Sequence, residues 1–403
     1  MTAVLVVVGH GMVGHRLVQE LRSRDTAGRW RVVVLGEENR PAYDRTALSS
    51  YLDGKSAHDL TLLGHDLLHD SLVEWRFGVR VTHVDRVACL VTTSDGASVR
   101  YDALVLATGS RPFVPPIPGR DLPGCFVYRT LDDLDLLRAA AAPDRPGVVI
   151  GGGLLGLEAA NALRLLGMRP RVVEMAPHLM PAQIDPDAGR LLGDLVGRVG
   201  ITAHCGVATQ RVEAGADGRV RAVKLSDGST IEADVVVFSA GVRARDDLAD
   251  GAGLPRGERG GFLVDDRCRT PDPHIWAVGE CAAVNGRVYG LVVPGYRMAD
   301  AVAAVLLGQG DAAFPGADMS TKLKLFGVDV ASFGDAHGRT EGAWDLVYAD
   351  EDAGTYARLV LAADDATLLG GVLVGDAAAY PVLRPLIGHR LPAAPEYLLR
   401  ARS

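Results

Sequence analysis

Cysteine is scarce and unpaired in this chain. Cys89, Cys125, Cys205, Cys268 and Cys281 form no C-x-x-C pair, and an odd number suits no secreted disulfide framework. Long apolar runs are also missing. None approaches the roughly 20 residues of a membrane-spanning helix, so no membrane partner is expected. The first run, residues 3–8, is too short for a secretion signal and lacks a basic segment before it, which points to the reducing cytoplasm. There is no excess of positive charge. The net charge of −8 argues against a surface made for nucleic acid. Lysine occurs only at Lys55, Lys224, Lys322 and Lys324, so nearly all positive charge is arginine, and we attach no function to that. The 403 residues allow roughly two to four domains, each able to bury a core.

Against these absences stand two glycine fingerprints. Residues 148–158 read VVIGGGLLGLE. An apolar run ending in G-x-G-x-x-G suits a buried strand that turns tightly into a helix. The first glycine permits the turn, the second lets backbone approach a pyrophosphate, and the third lets helix pack on strand. One such motif is weak evidence. Here residues 6–14, VVVGHGMVG, repeat it 142 positions earlier. The closing element is duplicated as well. Residues 101–112 (YDALVLATGSRP) and 232–243 (EADVVVFSAGVR) are strands ending at Gly109 and Gly241, 132 positions apart. A whole domain type is therefore repeated. The expected fold class is α/β, with two Rossmann-like dinucleotide-binding domains and a small C-terminal α+β domain.

The spacing predicts strands over 4–8, 31–35, 147–150 and 171–173, and helices over 12–24 and 154–166. Glu37 follows Gly9 by 28 residues, and a carboxylate at the end of the second strand accepts hydrogen bonds from a ribose diol. Glu38 is the alternative, one residue on. Glu174, 23 residues after Gly151, holds the same place in the second unit. It would repel a 2′-phosphate, and no arginine follows at 175–178, so NADH is favoured over NADPH. Residues 40–54 are polar and broken by Pro and Gly, and Arg45 there could reach a pyrophosphate oxygen. His65 and His69 have helical metal-ligand spacing, but no acid or cysteine completes a set, and we read them as exposed polar positions. Residues 75–93 read as short strands, and the proline-rich 112–124 as a crossing between domains. Glu280, in the strand and turn of 270–283, could bind a ribityl hydroxyl. Strands at 326–333, 357–361 and 369–374 make the C-terminal domain, a lid or an interface.

Segments 6–14, 101–112, 148–158, 232–243 and 270–283 together resemble the two-dinucleotide flavoprotein reductases of the pyridine nucleotide–disulfide oxidoreductase superfamily, over nearly the whole chain. GEENRPAYDRTALS (36–49), GLVVPGY (290–296) and STKLKLFGVDVASFGD (320–335) are most similar to the FAD-binding N-terminal part of the NAD(P)H nitrite reductase large subunit. Rubredoxin and ferredoxin reductases are near relatives. The resemblance implies a glutathione-reductase-like arrangement. An FAD domain is drawn from 1–112 and 242–309, an NAD domain spans 113–241, and a C-terminal interface domain spans 310–403. It implies FAD at Gly9, Gly11, Met12, Gly14, Glu37, Arg45, Val81 (through backbone), Thr108, Gly109, Arg129 and Glu280. It implies NADH, with NADPH as the variant, at Gly151, Gly153, Leu155, Gly156, Glu174 and Gly241. Glu158 matches the family glutamate beside nicotinamide and flavin, and Tyr296 stands where relatives place an aromatic against the flavin.

The departures are informative. Disulfide reductases of this kind carry C-x-x-x-x-C, and peroxidase or oxidase relatives one cysteine near position 50, where this chain has Ser49-Ser50. No protein thiol relays electrons there. Ferredoxin-reductase relatives place a lysine at the position of Ser50. Full-length nitrite reductases continue into iron–sulfur and sirohaem domains, so these 403 residues are not expected to reduce nitrite by that route. The expected function is an NADH-dependent FAD oxidoreductase, monomer or homodimer. It would pass electrons to a separate acceptor, an iron–sulfur protein or a nitrite or nitrate reductase component. The alternatives are direct reduction of a small organic substrate in a biosynthetic pathway, and a redox-responsive FAD/NADH-binding protein.

Overall fold

The computed structural model describes residues 2–310, 312–325 and 327–400. The chain divides into two compact units, Met1–Arg111 with Val242–Ala317, and Pro112–Gly241 with Asp318–Ser403. It is an α/β protein built on parallel sheets.

In the first unit the central strand, Ala3–Val8, pairs in parallel with Trp30–Gly36 on one side and Ala103–Leu106 on the other. Val73–Phe77 and Ile275–Ala277 complete the five strands at the two edges. Leu5 to Val8, Val32 to Leu35 and Leu104 to Leu106 are buried. Strands covered on both faces read as continuous apolar runs, not alternating ones, and that is why these segments were visible in the sequence. Helix Met12–Arg24 follows the central strand and buries Leu17, Val18 and Leu21.

The second unit repeats the plan. Strand Pro146–Ile150 pairs in parallel with Arg169–Glu174 and with Val235–Phe238, and Thr202–Cys205 and Cys125–Val127 form the edges. Both units insert a three-stranded antiparallel sheet before the closing strand: Val81–Asp85, Leu90–Thr93 and Ser98–Arg100 in the first, Thr209–Ala214, Val220–Leu225 and Thr230–Glu232 in the second. The edge strand beyond the closing strand differs in origin. It comes from late in the chain in the first unit and from before the fingerprint in the second.

Residues 318–403 fold with the second unit. Their antiparallel sheet runs in the order Thr321–Leu325, Val328–Gly334, Leu368–Val374, Thr355–Leu361, Trp344–Asp350. Ala331, Phe333, Leu359, Leu361, Leu368 and Leu373 make its core with Leu383. Ser332 Oγ donates to the Gln183 carbonyl (2.6 Å) and Tyr356 Oη to Asp185 (3.1 Å), tying this sheet to the start of helix Pro186–Arg198.

Two local readings change. The expected strand over 326–333 is observed as Val328–Gly334, paired with Thr321–Leu325, which the sequence reading missed; Phe326 lies outside the described residues. Pro and Gly in residues 40–54 predict irregular chain, yet the segment holds a 3-10 turn, Arg45–Ala47, and helix Leu48–Leu52. The Asp44 carboxylate accepts from the Thr46 N–H (2.8 Å) and starts that turn.

Candidate functional site

Each fingerprint folds into a turn whose glycines meet three different demands. Gly9 has φ +108°, and a Cβ there would lie 2.2 Å from the Ala107 carbonyl oxygen. A Cβ at Gly14 would lie 2.2 Å from the Gly9 oxygen, so helix and turn touch through backbone. At Gly11 a Cβ would meet no atom within 4 Å. The second turn repeats this. Gly151 has φ +113° and stands against Ser239, a Cβ at Gly156 would lie 1.9 Å from the Gly151 oxygen, and Gly153 faces open space. Packing explains the first and third glycines. It does not explain the second, whose missing side chain leaves room for something outside the protein.

The helix starts agree. Gly11 and Gly153 are the N-cap residues of Met12–Arg24 and Leu154–Leu165, and neither helix has a capping side chain or an acid in its first turn. Two other helices are conventionally finished: Leu131–Ala140 by a Thr130–Asp133 capping box, Pro186–Arg198 by Asp185. An uncapped N-terminus at a glycine cradle directs N–H groups and the positive end of the helix dipole toward an anion. Both turns fit the pyrophosphate of a dinucleotide. Met12 opens the first helix and Leu155, 36% exposed, lies in the first turn of the second.

Carboxylates stand at both second-strand ends. Glu37 is exposed just beyond Trp30–Gly36 and pairs with Arg245. Glu38 accepts from Tyr43 Oη (2.8 Å) and pairs with Arg45. A phosphate approaching Arg45 therefore competes with Glu38 for it. Glu174 ends strand Arg169–Glu174 and accepts from the N–H groups of Gly152 (2.6 Å) and Ala176 (2.7 Å). Those two bonds hold its carboxylate against the glycine turn.

The remaining first-unit residues gather at the carboxyl edge of its sheet. Thr108 and Gly109 follow strand Ala103–Leu106, and Thr108 Oγ1 donates to the Arg245 carbonyl. Glu280 lies in the 3-10 turn Gly279–Cys281 and accepts from Ser110 Oγ (2.9 Å). Val13, in the fingerprint helix, nests against Gly279 and Gly295, where added Cβ atoms would lie 3.2 and 2.5 Å from its Cγ2. That contact sets helix Val292–Leu306 beside the turn and places Tyr296 there, its ring 5.9 Å from the Arg16 guanidinium carbon. Arg16 is held by Asp300 (2.9 Å). Burial first, then the charge of Asp44, raises the Tyr296 phenol above its usual range. Val81 is buried at the start of its strand, opposite Thr93.

Glu158, Arg129 and Gly241 belong to the second unit. Glu158 is 9% exposed in helix Leu154–Leu165. The Arg129 N–H donates to Asp133 (3.1 Å). A Cβ at Gly241 would meet nothing within 4 Å. Ser49 and Ser50 lie on helix Leu48–Leu52. His65 and His69 stack at 4.2 Å between centroids. Among the described residues no group of three His, Cys, Asp or Glu side chains is placed to hold a metal, and no helix is long and apolar enough to cross a membrane.

Sequence reasoning missed two features. Arg245 meets Glu37 from 208 positions away, with no local signal. His10, between the first two fingerprint glycines, packs tilted against Trp75 at 4.6 Å, stacks on Phe77 at 5.5 Å and lies 5.9 Å from His15, all between ring centroids. Burial pushes His10 down to about 3, helped by the charge of His15, and pushes His15 down to about 4. Position inside the fingerprint was the available signal for His10.

A family model described as pyridine nucleotide-disulphide oxidoreductase matches residues 3–306, and one described as the rubredoxin NAD+ reductase C-terminal domain matches 320–391. The chain is 49% identical over 398 residues to the nitrite reductase (NAD(P)H) large subunit of Klebsiella oxytoca, covering 98% of this chain and 41% of that protein. It thus spans less than half of that relative's length. It is 34% identical over 379 residues to the rubredoxin-NAD(+) reductase of Alcanivorax borkumensis, covering 93% of this chain and 95% of that one. Among solved structures, a ferredoxin reductase from Rhodopseudomonas palustris superposes with a TM-score of 0.85 at 28% identity, covering 96% of each chain.

Proposed function

The chain belongs to the pyridine nucleotide-disulphide oxidoreductase family, and from that premise we propose that it is an NADH-dependent FAD reductase serving a separate electron acceptor. The acceptor is an iron–sulfur protein or the catalytic component of a nitrite or nitrate reductase. The observation that carries this reading is the duplicated cradle, two uncapped helix N-termini each facing open space at the second fingerprint glycine. When bound, FAD supplies two-electron acceptance from a nicotinamide and one-electron release to an acceptor.

The chain's own work is binding and orientation. Gly9, Gly11 and Gly14 with the N-terminus of Met12–Arg24 hold the FAD pyrophosphate, and Glu37 takes the adenosine ribose. Thr108, Gly109, Glu280 and Tyr296 line the same edge of the first unit, with Met12 and the Val81 backbone. Arg45 supplies positive charge to FAD. Gly151, Gly153, Leu155, Gly156 and Gly241 receive NADH, and Glu174 accepts its 2′-hydroxyl. A 2′-phosphate would bring negative charge against that carboxylate, which is the basis for preferring NADH. Glu158 is the acid set to meet the nicotinamide. Serines, not cysteines, occupy 49 and 50, so no protein thiol takes part there, and positioning supplies most of the catalysis.

The test is anaerobic stopped-flow reduction of the flavin-loaded protein by NADH and by NADPH, followed by mixing with acceptors. Fast bleaching by NADH and fast reoxidation by an iron–sulfur protein is the expected result. Protein that binds no flavin overturns the reading. Bleaching with turnover of a small organic molecule alone would move the acceptor from protein to small molecule.

A further inference from the structure

Tyr128 follows the outermost strand of the second unit's parallel sheet. Register sets its place: Val127 lies opposite Phe238, and Phe238 opposite Ile150. One residue further along each chain come Tyr128, Ser239 and Gly151, at the carboxyl edge where the fingerprint turn begins. Glu158 sits in the second turn of the helix that leaves this edge. Both side chains are withdrawn from water, Tyr128 at 4% and Glu158 at 9% exposure. Tyr128 Oη has no hydrogen-bond partner among the described residues.

A buried donor without an acceptor costs free energy, and a phenylalanine would fill the same space without that cost. The hydroxyl therefore calls for a partner that arrives or turns toward it. Burial, and after it the negative charge of Glu158, hold the phenol protonated far above its usual range. Its O–H is thus a donor at any working pH, and the Glu158 charge is near enough to be felt.

We propose that Tyr128 is a positioning residue for Glu158, its O–H donating to the Glu158 carboxylate when a nicotinamide dinucleotide binds and holding that acid at the carboxyl edge of the sheet. This rests on the reading of the second unit as the NADH site. The hydroxyl supplies a neutral donor, so it orients the acid without cancelling its charge.

The experiment compares FAD-loaded wild type with Tyr128→Phe, Glu158→Gln and the double variant. Calorimetry gives the NAD+ dissociation constant of each, and long-wavelength absorbance follows the charge-transfer band of NAD+ on the reduced protein. Each single variant is expected to weaken NAD+ about tenfold, the loss of one hydrogen bond to a charged group. The double variant should be no weaker than the weaker single, and both singles should shift the band in the same direction. Without NAD+, Tyr128→Phe should keep its flavin content and melt at or above the wild-type temperature. Unchanged affinity in Tyr128→Phe, losses that multiply in the double variant, or a Tyr128→Phe protein that fails to fold would each overturn the inference and leave the proposed function standing. Wild type that binds no NAD+ would overturn that function, and this inference with it.

Discussion

Gly153 and Gly156 lie in one turn, three residues apart, and respond oppositely to the same methyl group. Gly153 has an ordinary extended backbone (φ −77°) and open space around it. Gly153→Ala should fold with a melting temperature within about 2 °C of wild type and bind NADH at least about tenfold more weakly, because the methyl occupies the cradle. Gly156→Ala instead drives a methyl into the Gly151 carbonyl. It should cost about 1–3 kcal/mol or more in denaturant unfolding, despite alanine's better helix propensity. Equal stability of the two variants would show that the turn is not packed as described. Glu174 offers a second residue-scale test. Glu174→Gln should lower the preference for NADH over NADPH by roughly tenfold or more, read as the ratio of flavin-reduction rates. An unchanged ratio would remove the carboxylate from cofactor choice.

At the scale of the element, the two fingerprint helices differ from Leu131–Ala140 and Pro186–Arg198 in how they begin. Thr130 and Asp133 cap Leu131–Ala140, so Thr130→Ala should destabilise by about 1 kcal/mol and leave NADH affinity alone. Leu154–Leu165 begins without a cap or an acid. An acid placed there, Leu155→Asp, complements the helix dipole and should hold or raise the melting temperature. The same charge repels a pyrophosphate, so NADH affinity should fall, and the loss should shrink as salt is added. A stability loss in Leu155→Asp, or affinity loss in Thr130→Ala, would contradict this division.

For the whole molecule, the first unit carries a stability that depends on acid. His15 is buried beside the FAD turn and His10 is half-buried there with both ring nitrogens shut off from water, and their pKa values are about 4 and about 3, against 6.5 in the unfolded chain. Between those limits the unfolded state binds more protons than the folded state. Stability therefore falls as pH drops from about 6.5 toward 4, on the order of 3 kcal/mol per histidine across that window. Melting curves from pH 7 to 4 should show the decline, and a His10→Asn, His15→Asn double variant should flatten it. An unchanged slope in that variant would place the acid sensitivity elsewhere.

Much of this protein was legible in one dimension because its governing interactions are local. A glycine turn, the apolar strand before it and the helix after it are contiguous in the chain, residues 3–24 in the first unit and 146–165 in the second, and strands buried on both faces keep an unbroken apolar pattern. So residues 12–24 were read as the helix observed, Glu37 and Glu174 fell at second-strand ends, and two dinucleotide units were evident from repetition. Other features needed the fold. Arg245 reaches Glu37, and Ser110 reaches Glu280, across 208 and 170 positions. The nesting of Val13 between Gly279 and Gly295, which sets Tyr296 beside the turn, has no local signature. Nor could the sequence say that Tyr128 ends buried, its hydroxyl without a partner among the described residues, at the edge where Glu158 sits, or that the sheet of residues 321–374 packs with the second unit. Those outcomes depend on which surfaces meet once both sheets are formed, a matter of register and close packing that no spacing along the chain encodes.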